Sequence, residues 1–348
     1  MTETNVYIDA RCRINYASYY VLGLIKYFGK RSISFSHHYF SDSLYNSPAD
    51  YDKGLCVVIN HHDRLKKVFI DFHDADTISD KHYQWCDVYG KINIQSEVLP
   101  LFPKIIAIGP SFAVNMLNIS VVFGIWSRLL FISQKPVSLL TYLRDFFYLF
   151  IRRRRYEDYL SSVPHDDYIF AISTLWYDPL TASTTNKDRG EFLKISKELF
   201  SNVEGGFFYI DGDNVKKQFP SYENYLEEYR EFIYNKRLSP KEYLKKTKKS
   251  TLVFNTPSVL GCHGWKLAEY LAMGKAIIST KLNNEMPGDF NGFQMVLINN
   301  IEELRAAIVH LKTDKGARKI LEEHASNYFN NELAPEQVIK RIINKLGL

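Results

Sequence analysis

The chain is 348 residues long, with 46% hydrophobic and 24% charged residues, which excludes a disordered or fibrous protein and leaves room for two domains of ordinary size. Its net charge is only +5, and no apolar run reaches the roughly 18 uncharged residues that a membrane-spanning helix needs. The opening MTETNVYIDARCRINYA has no basic stretch followed by an apolar one, so the reading is a cytoplasmic protein, soluble or peripheral on the inner face of the cell membrane. Cys12, Cys56, Cys86 and Cys262 have no metal-like spacing and read as reduced, buried thiols. The 24 tyrosines and 23 phenylalanines suit cores, and tyrosine also suits surfaces that meet sugars or lipid headgroups.

In chain order, strands are expected at 5–9 (NVYID), 32–35 (SISF), 54–60 (GLCVVIN), 67–71 (KVFID) and 104–108 (KIIAI), with a helix over 19–27. Alternating strands and helices predict a parallel sheet covered by helices. Residues 119–132 (ISVVFGIWSRLLFI) and 137–151 (VSLLTYLRDFFYLFI) follow, each interrupted by an arginine. Between Arg128 and Arg155 seven basic residues face one acid, Asp145, so this segment carries +6 and the rest of the chain −1. Apolar runs ending in Arg152, Arg153, Arg154 and Arg155 predict contact with an anionic membrane surface. The plainer alternative is two buried helices and a solvated basic turn. The patch is local and carries no nucleic-acid-binding motif, so a nucleic acid partner is not expected.

A second strand–helix unit opens after Pro164. Strands are expected at 168–174 (YIFAIST), 206–210 (GFFYI), 250–255 (STLVFN), 276–280 (AIIST) and 295–298. Helices are expected at 188–200 and 222–235, from Ser239-Pro240, from about Trp265, at 302–311 and 317–329, and from Pro335.

Residues 251–287, TLVFNTPSVLGCHGWKLAEYLAMGKAIISTKLNNEMP, carry the chemistry. Lys266 stands in a first helical turn, where the helix dipole disfavours a cation; it fits if an anion occupies the helix N-terminus. Gly264 lets backbone approach a ligand, His263 adds a donor, and Glu269 shares a flank with Lys266 and is placed to accept from sugar hydroxyls.

This stretch resembles the donor-binding region of GT-B glycosyltransferases, especially the family 4-like and family 1-like enzymes of bacterial polysaccharide biosynthesis. Glu269, the run Leu271 to Gly274 and the run Ala276 to Thr280 carry the likeness. The resemblance implies two Rossmann-like α/β domains facing across a cleft: an acceptor domain at 1–163, a nucleotide-sugar domain at 164–334, and a last helix at 335–348 crossing back. It implies a nucleotide-diphospho-sugar donor, a glycan or lipid-linked glycan acceptor, and no cofactor or metal. Arg189 is the expected diphosphate contact, beside His263, Gly264, Trp265, Lys266 and Glu269; Lys236, Arg237, Asn255 and Thr256 are secondary candidates. The family 4 signature has a second glutamate eight positions before Glu269, where this chain has Gly261, so retention or inversion does not transfer.

For the acceptor side, Asp71-Phe72-His73-Asp74-Ala75-Asp76 follows a strand at the sheet edge where α/β folds bind ligands, and His73 and Asp74 are the candidate bases. His61-His62-Asp63 is a rival cluster. Asp74-Ala75-Asp76 and Asp211-Gly212-Asp213 both spell DxD, the metal-holding pattern of GT-A enzymes, but the strongest signal here is C-terminal. A GT-B-fold sugar-nucleotide epimerase and a non-catalytic peripheral membrane protein on a transferase-like scaffold are the other readings.

Overall fold

The computed structural model describes residues 4–209, 212–220 and 222–348. The chain divides into two compact units, one of residues 1–158, 284–289 and 330–348 and one of residues 159–283 and 290–329. The first boundary therefore falls at 158 rather than 163, and the first unit also takes a short loop from late in the chain.

The first unit is built on six strands: β1 (Thr4–Asp9), β2 (Ile33–Ser36), β3 (Gly54–His61), β4 (Arg64–Asp71), β5 (Val88–Lys91) and β6 (Ile105–Ala107), in the order β2-β1-β3-β4-β5-β6. The sheet is mixed, not parallel throughout. β3 runs antiparallel to both β1 and β4, while the remaining pairs are parallel. The cause lies at His62 and Asp63, whose φ angles of 50° and 59° make the two-residue turn that matches strand twist in a hairpin. His62 and Asp63 are thus a hairpin turn, and His61, the last residue of β3, has its Nδ1 2.9 Å from Thr4 Oγ1.

Much of the tyrosine content goes into this unit's core. Helix α1 (Ile14–Phe28) buries Tyr19 and Tyr20 completely. Tyr19 Oη donates to the Leu333 carbonyl at 2.6 Å and Tyr20 Oη reaches Ser111 Oγ at 3.0 Å. Buried Tyr45 and Tyr142 donate to the carbonyls of Gly54 and Arg11. A buried phenol needs such a partner, and each finds one. The C-terminal helix, Pro335–Leu346, lies against α1 at Gly23, where a Cβ would stand 2.3 Å from the Pro335 carbonyl oxygen.

Helices α2 (Ile119–Phe131) and α3 (Leu139–Arg152) start on Asn118 and Ser138, which accept from Val121 and Thr141 backbone amides. Each buries one face, Val122, Ile125 and Leu129 on α2 and Tyr142, Phe146 and Leu149 on α3. The other face is apolar and exposed: Phe123 63%, Phe131 85%, Leu140 73% and Phe147 61%. Asp145, the segment's one acid, turns inward and accepts from Tyr51 Oη at 2.7 Å. Among the described residues no helix is long and apolar enough to cross a membrane.

Among the described residues the second unit has five strands, β7 (Tyr168–Thr174), β8 (Asn202–Phe208), β9 (Val253–Asn255), β10 (Ile277–Thr280) and β11 (Val296–Ile298), all paired in parallel as β7-β8 and β11-β10-β9. Where β9 approaches β7, Ser250 Oγ accepts the Phe170 amide at 2.9 Å and the Thr251 amide donates to the Tyr168 carbonyl at 2.7 Å. Helices α4 (Lys187–Leu199), α5 (Pro240–Lys249), α6 (Trp265–Ala272), α7 (Ile301–Thr313) and α8 (Lys315–Tyr328) belong to this unit. Ile169, Phe192, Ile195, Leu252, Ile278 and Ile308 share its main core. The helix expected over 222–235 stops at Glu228. Phe232 is drawn into a second core beside Phe207, and the Tyr234 amide bonds the Phe207 carbonyl at 2.8 Å, so the chain leaves helical geometry there.

Candidate functional site

β7 and β9 end side by side, and α4 and α6 begin beside them. Parallel strands leave their C-terminal edge open where the following helices start, and ligands of α/β folds bind at such edges. A cavity of about 150 Å³ lies there, wholly within the second unit. Arg189, Asn255, Thr256, Gly264, Trp265 and Lys266 all line it. Small-molecule sites typically span about 300–1,000 Å³, so this volume matches the anionic part of a ligand rather than the whole.

Two cations dominate the wall. Arg189, in the first turn of α4, donates from Nε to Thr256 Oγ1 at 3.0 Å and from one terminal nitrogen to the Thr174 carbonyl at 3.4 Å. That ties the ends of β7 and β9 together through one guanidinium. Lys266 reaches across to the Ile172 carbonyl of β7. Burial and the neighbouring Arg189 charge push the Lys266 ammonium down to about 7, with Glu269 opposing them. Burial also lowers Arg189 to about 10. Two cations desolvated in one cavity, with only hydroxyl and carbonyl partners, form a site that an anion would relieve.

Glu269 is placed differently from the expectation. It is buried and accepts from Tyr243 Oη of α5 at 2.7 Å, and it is not among the residues that line the cavity. Helical spacing explains this: Tyr270, four residues after Lys266, takes the cavity face, and Glu269 is turned toward α5. His263 is buried just before the helix and also lies outside the lining. Asn255 Nδ2 is held by Ser279 Oγ at 2.9 Å. Lys236 and Arg237 are exposed and outside the cavity.

Gly264 caps α6 at φ −75°, a conformation open to any residue, and offers no side-chain cap. A Cβ there would meet only the Ser258 Cβ, at 3.8 Å, so packing alone does not demand glycine. Gly261 is the opposite case. It has φ +70°, and a Cβ would sit 2.6 Å from Asn283 Nδ2, so a glutamate at this position would strain the backbone.

Trp176 and Tyr270 also line the cavity and were not singled out from the sequence. Trp176 lies just past the end of β7, where the sheet-edge rule would have found it. Tyr270 reads as core on periodicity alone.

In the first unit, the loop after β4 is held by a buried ion pair. Asp71 Oδ2 accepts from Lys91 Nζ at 3.0 Å and Tyr89 Oη at 2.5 Å, and its Oδ1 accepts the His73 amide at 2.9 Å. Lys91 also donates to the Ala75 carbonyl at 3.0 Å. His73 Nδ1 accepts the Ala75 amide at 3.2 Å. This bond fixes the orientation of the candidate base's ring. Asp74 is exposed. Of the DxD residues, Asp76 accepts from Gln95 Nε2 at 3.0 Å, and Asp211 lies outside the described residues. Among the described residues no cluster of three or more His, Cys, Asp or Glu could hold a metal ion.

The four consecutive arginines do not share one direction. α3 ends at Arg152 and Arg153 is extended, so neighbours diverge. Arg153 Nε donates inward to Asn15 at 3.0 Å and Arg154 pairs with Asp158 at 2.9 Å. Arg152, stacked over Tyr148 at 4.1 Å, and Arg155 stay exposed.

No protein-family model and no curated protein matches the sequence. Among solved structures, the chain is similar to a glycosyltransferase from Rickettsia africae (13% identity, 80% of this chain and 69% of that one, TM-score 0.44). It is similar to an α,α-trehalose-phosphate synthase (UDP-forming) from Burkholderia vietnamiensis (11% identity, 81% and 67%, TM-score 0.46). It is also similar to the HepE protein of Anabaena, solved with UDP and glucose (10% identity, 80% and 71%, TM-score 0.42). These are distant likenesses.

Proposed function

We propose that this protein is a glycosyltransferase that moves a sugar from a nucleotide-diphospho-sugar to a glycan or lipid-linked glycan in surface polysaccharide synthesis, without a metal. The observation that carries the proposal is the joint placement of Arg189 and Lys266 on one cavity wall with Gly264 and the start of α6. In the reaction the acceptor hydroxyl oxygen bonds to the anomeric carbon while the bond from that carbon to the diphosphate oxygen breaks. The electron pair leaves with the nucleoside diphosphate. Arg189, Lys266 and the backbone at the start of α6 would stabilise that charge where it develops. Glu269 acts through Lys266, balancing its charge, and Asp74 is the proposed acceptor of the hydroxyl proton.

The exposed apolar faces of α2 and α3, with Arg152 and Arg155 beside them and Asp145 turned inward, support a peripheral position on an anionic membrane at the inner face of the cell. A thermal-shift panel of UDP, GDP, CDP and TDP, each with EDTA and then with manganese, tests the donor site, because a ligand bound only to the native state raises its melting point. One nucleotide shifting Tm in EDTA supports the proposal. A shift that needs manganese, or none at all, counts against it.

A further inference from the structure

The first unit contains a second recess that the donor chemistry leaves unused. It is a groove of about 650 Å³, walled by Leu22 and Ile25 of α1, Ile33 and Phe35 of β2, Val121 of α2 and Phe150 of α3. Lys30 and Arg155, both exposed, also line it, against one acid, Glu157.

Two properties restrict its occupant. A groove of this size with a mostly apolar wall asks for hydrocarbon. Two exposed cations at the same groove ask for an anion, and the charge on the neighbouring segment has the same sign. The helices that wall the groove also carry the outward apolar faces described above.

We infer that the groove holds the hydrocarbon chain of a phosphate-headed lipid, with its phosphate at Lys30 and Arg155. This deepens the acceptor side of the proposed function and rests on the membrane-facing reading of α2 and α3. It does not depend on the donor cavity, which lies in the other unit.

The test is titration of the full chain with dodecyl phosphate below its micelle concentration, beside dodecyl maltoside and inorganic phosphate. Dodecyl phosphate is expected to bind at least tenfold more tightly than either. Val121→Trp, which fills the groove, should weaken it at least tenfold, and Lys30→Ser with Arg155→Ser at least fivefold. Ile25→Gln, at the same wall, serves if Val121→Trp does not fold. Equal binding of dodecyl maltoside would make this a plain apolar surface. Equal binding of inorganic phosphate would make it a surface anion site, and an unchanged affinity in the folded wall variants would place the lipid elsewhere; each overturns the inference. The nucleotide-induced Tm shift should survive in every variant, so failure here and failure of the donor-site reading are separately visible.

Discussion

Arg189 and Lys266 enter the same cavity from different helices, and each is held by the β-strand ends rather than by a carboxylate: Arg189 through Thr256 and Thr174, Lys266 through Ile172. Burial and the Arg189 charge together hold the Lys266 ammonium near pKa 7. A diphosphate in the cavity would favour the charged form and draw a proton onto Lys266. Nucleotide affinity should therefore fall as pH rises from 7 to 9, and binding should take up protons in that range. Calorimetry in buffers of different ionisation enthalpy reads both; pH-independent affinity would contradict it. Lys266→Met should abolish the pH dependence and weaken binding about 10- to 100-fold, the scale of a lost hydrogen bond to a charged group.

Glu269 opposes the downward shift of Lys266. Glu269→Gln should move the midpoint of the pH profile lower while affinity at pH 6 stays near wild type. A direct contact from Glu269 to a sugar hydroxyl of the ligand predicts the reverse, a loss of affinity at every pH with an unmoved midpoint. Titrations at pH 6, 7 and 8 separate the two.

Two glycines should respond oppositely to alanine. Gly264→Ala meets nothing closer than 3.8 Å, so stability should change by less than about 1 kcal/mol while nucleotide binding weakens. Gly23→Ala would place a methyl 2.3 Å from the Pro335 carbonyl oxygen and should cost about 1–3 kcal/mol by overpacking. Urea melts paired with nucleotide titrations measure both.

Lys275 is buried under α6, donating to the Ser250 and Lys248 carbonyls, and burial lowers its ammonium to about 7. An unfolded lysine titrates near 10.4, so between about pH 7 and 10 the unfolded chain binds the extra proton and this group's contribution to stability rises with pH. The stability of wild type relative to Lys275→Met should grow across that window, by at most about 1.4 kcal/mol per pH unit. Urea denaturation at pH 7, 8 and 9 would show a constant difference if the reasoning were wrong.

The arginine run divides by the same logic. Replacing Arg152 and Arg155 with serine should reduce sedimentation with anionic liposomes at low salt and leave Tm unchanged. Replacing Arg153 and Arg154 should lower Tm through Arg153, whose bond to Asn15 is partly buried, the Arg154–Asp158 pair being solvent-exposed, and should change sedimentation less. Equal loss of sedimentation in both pairs would make the run one membrane-contact patch, and no loss in either would return it to a solvated turn.

The strands of the second unit were legible because short apolar runs bounded by Gly, Pro and Asn are a local signal. The Ser239 cap was legible too, since its partner Glu242 sits three residues on. The antiparallel hairpin of β3 and β4 was hidden because His62-Asp63 contains neither Gly nor Asn at a turn that requires positive φ. β5 was missed because its sequence, VYGK, is short and carries a glycine. At the site, residue types pointed to Arg189, Gly264 and Lys266, but direction along α6 did not follow from spacing. Leu267 to Ala272 are all buried, so an apolar stripe could not tell which of Glu269 and Tyr270 faces the cavity. Likewise, the inward turn of Asp145 depends on Tyr51 and Arg13, far away in sequence.

The most direct measurement is release of nucleoside diphosphate from the sugar nucleotide whose base gives the Tm shift, with and without membrane lipid extract, in EDTA. Glycosyl transfer predicts release only when extract is present, a product lipid heavier by one sugar residue, and loss of both in Lys266→Met. Release of nothing, or conversion of the donor sugar to its epimer without any acceptor, would contradict it.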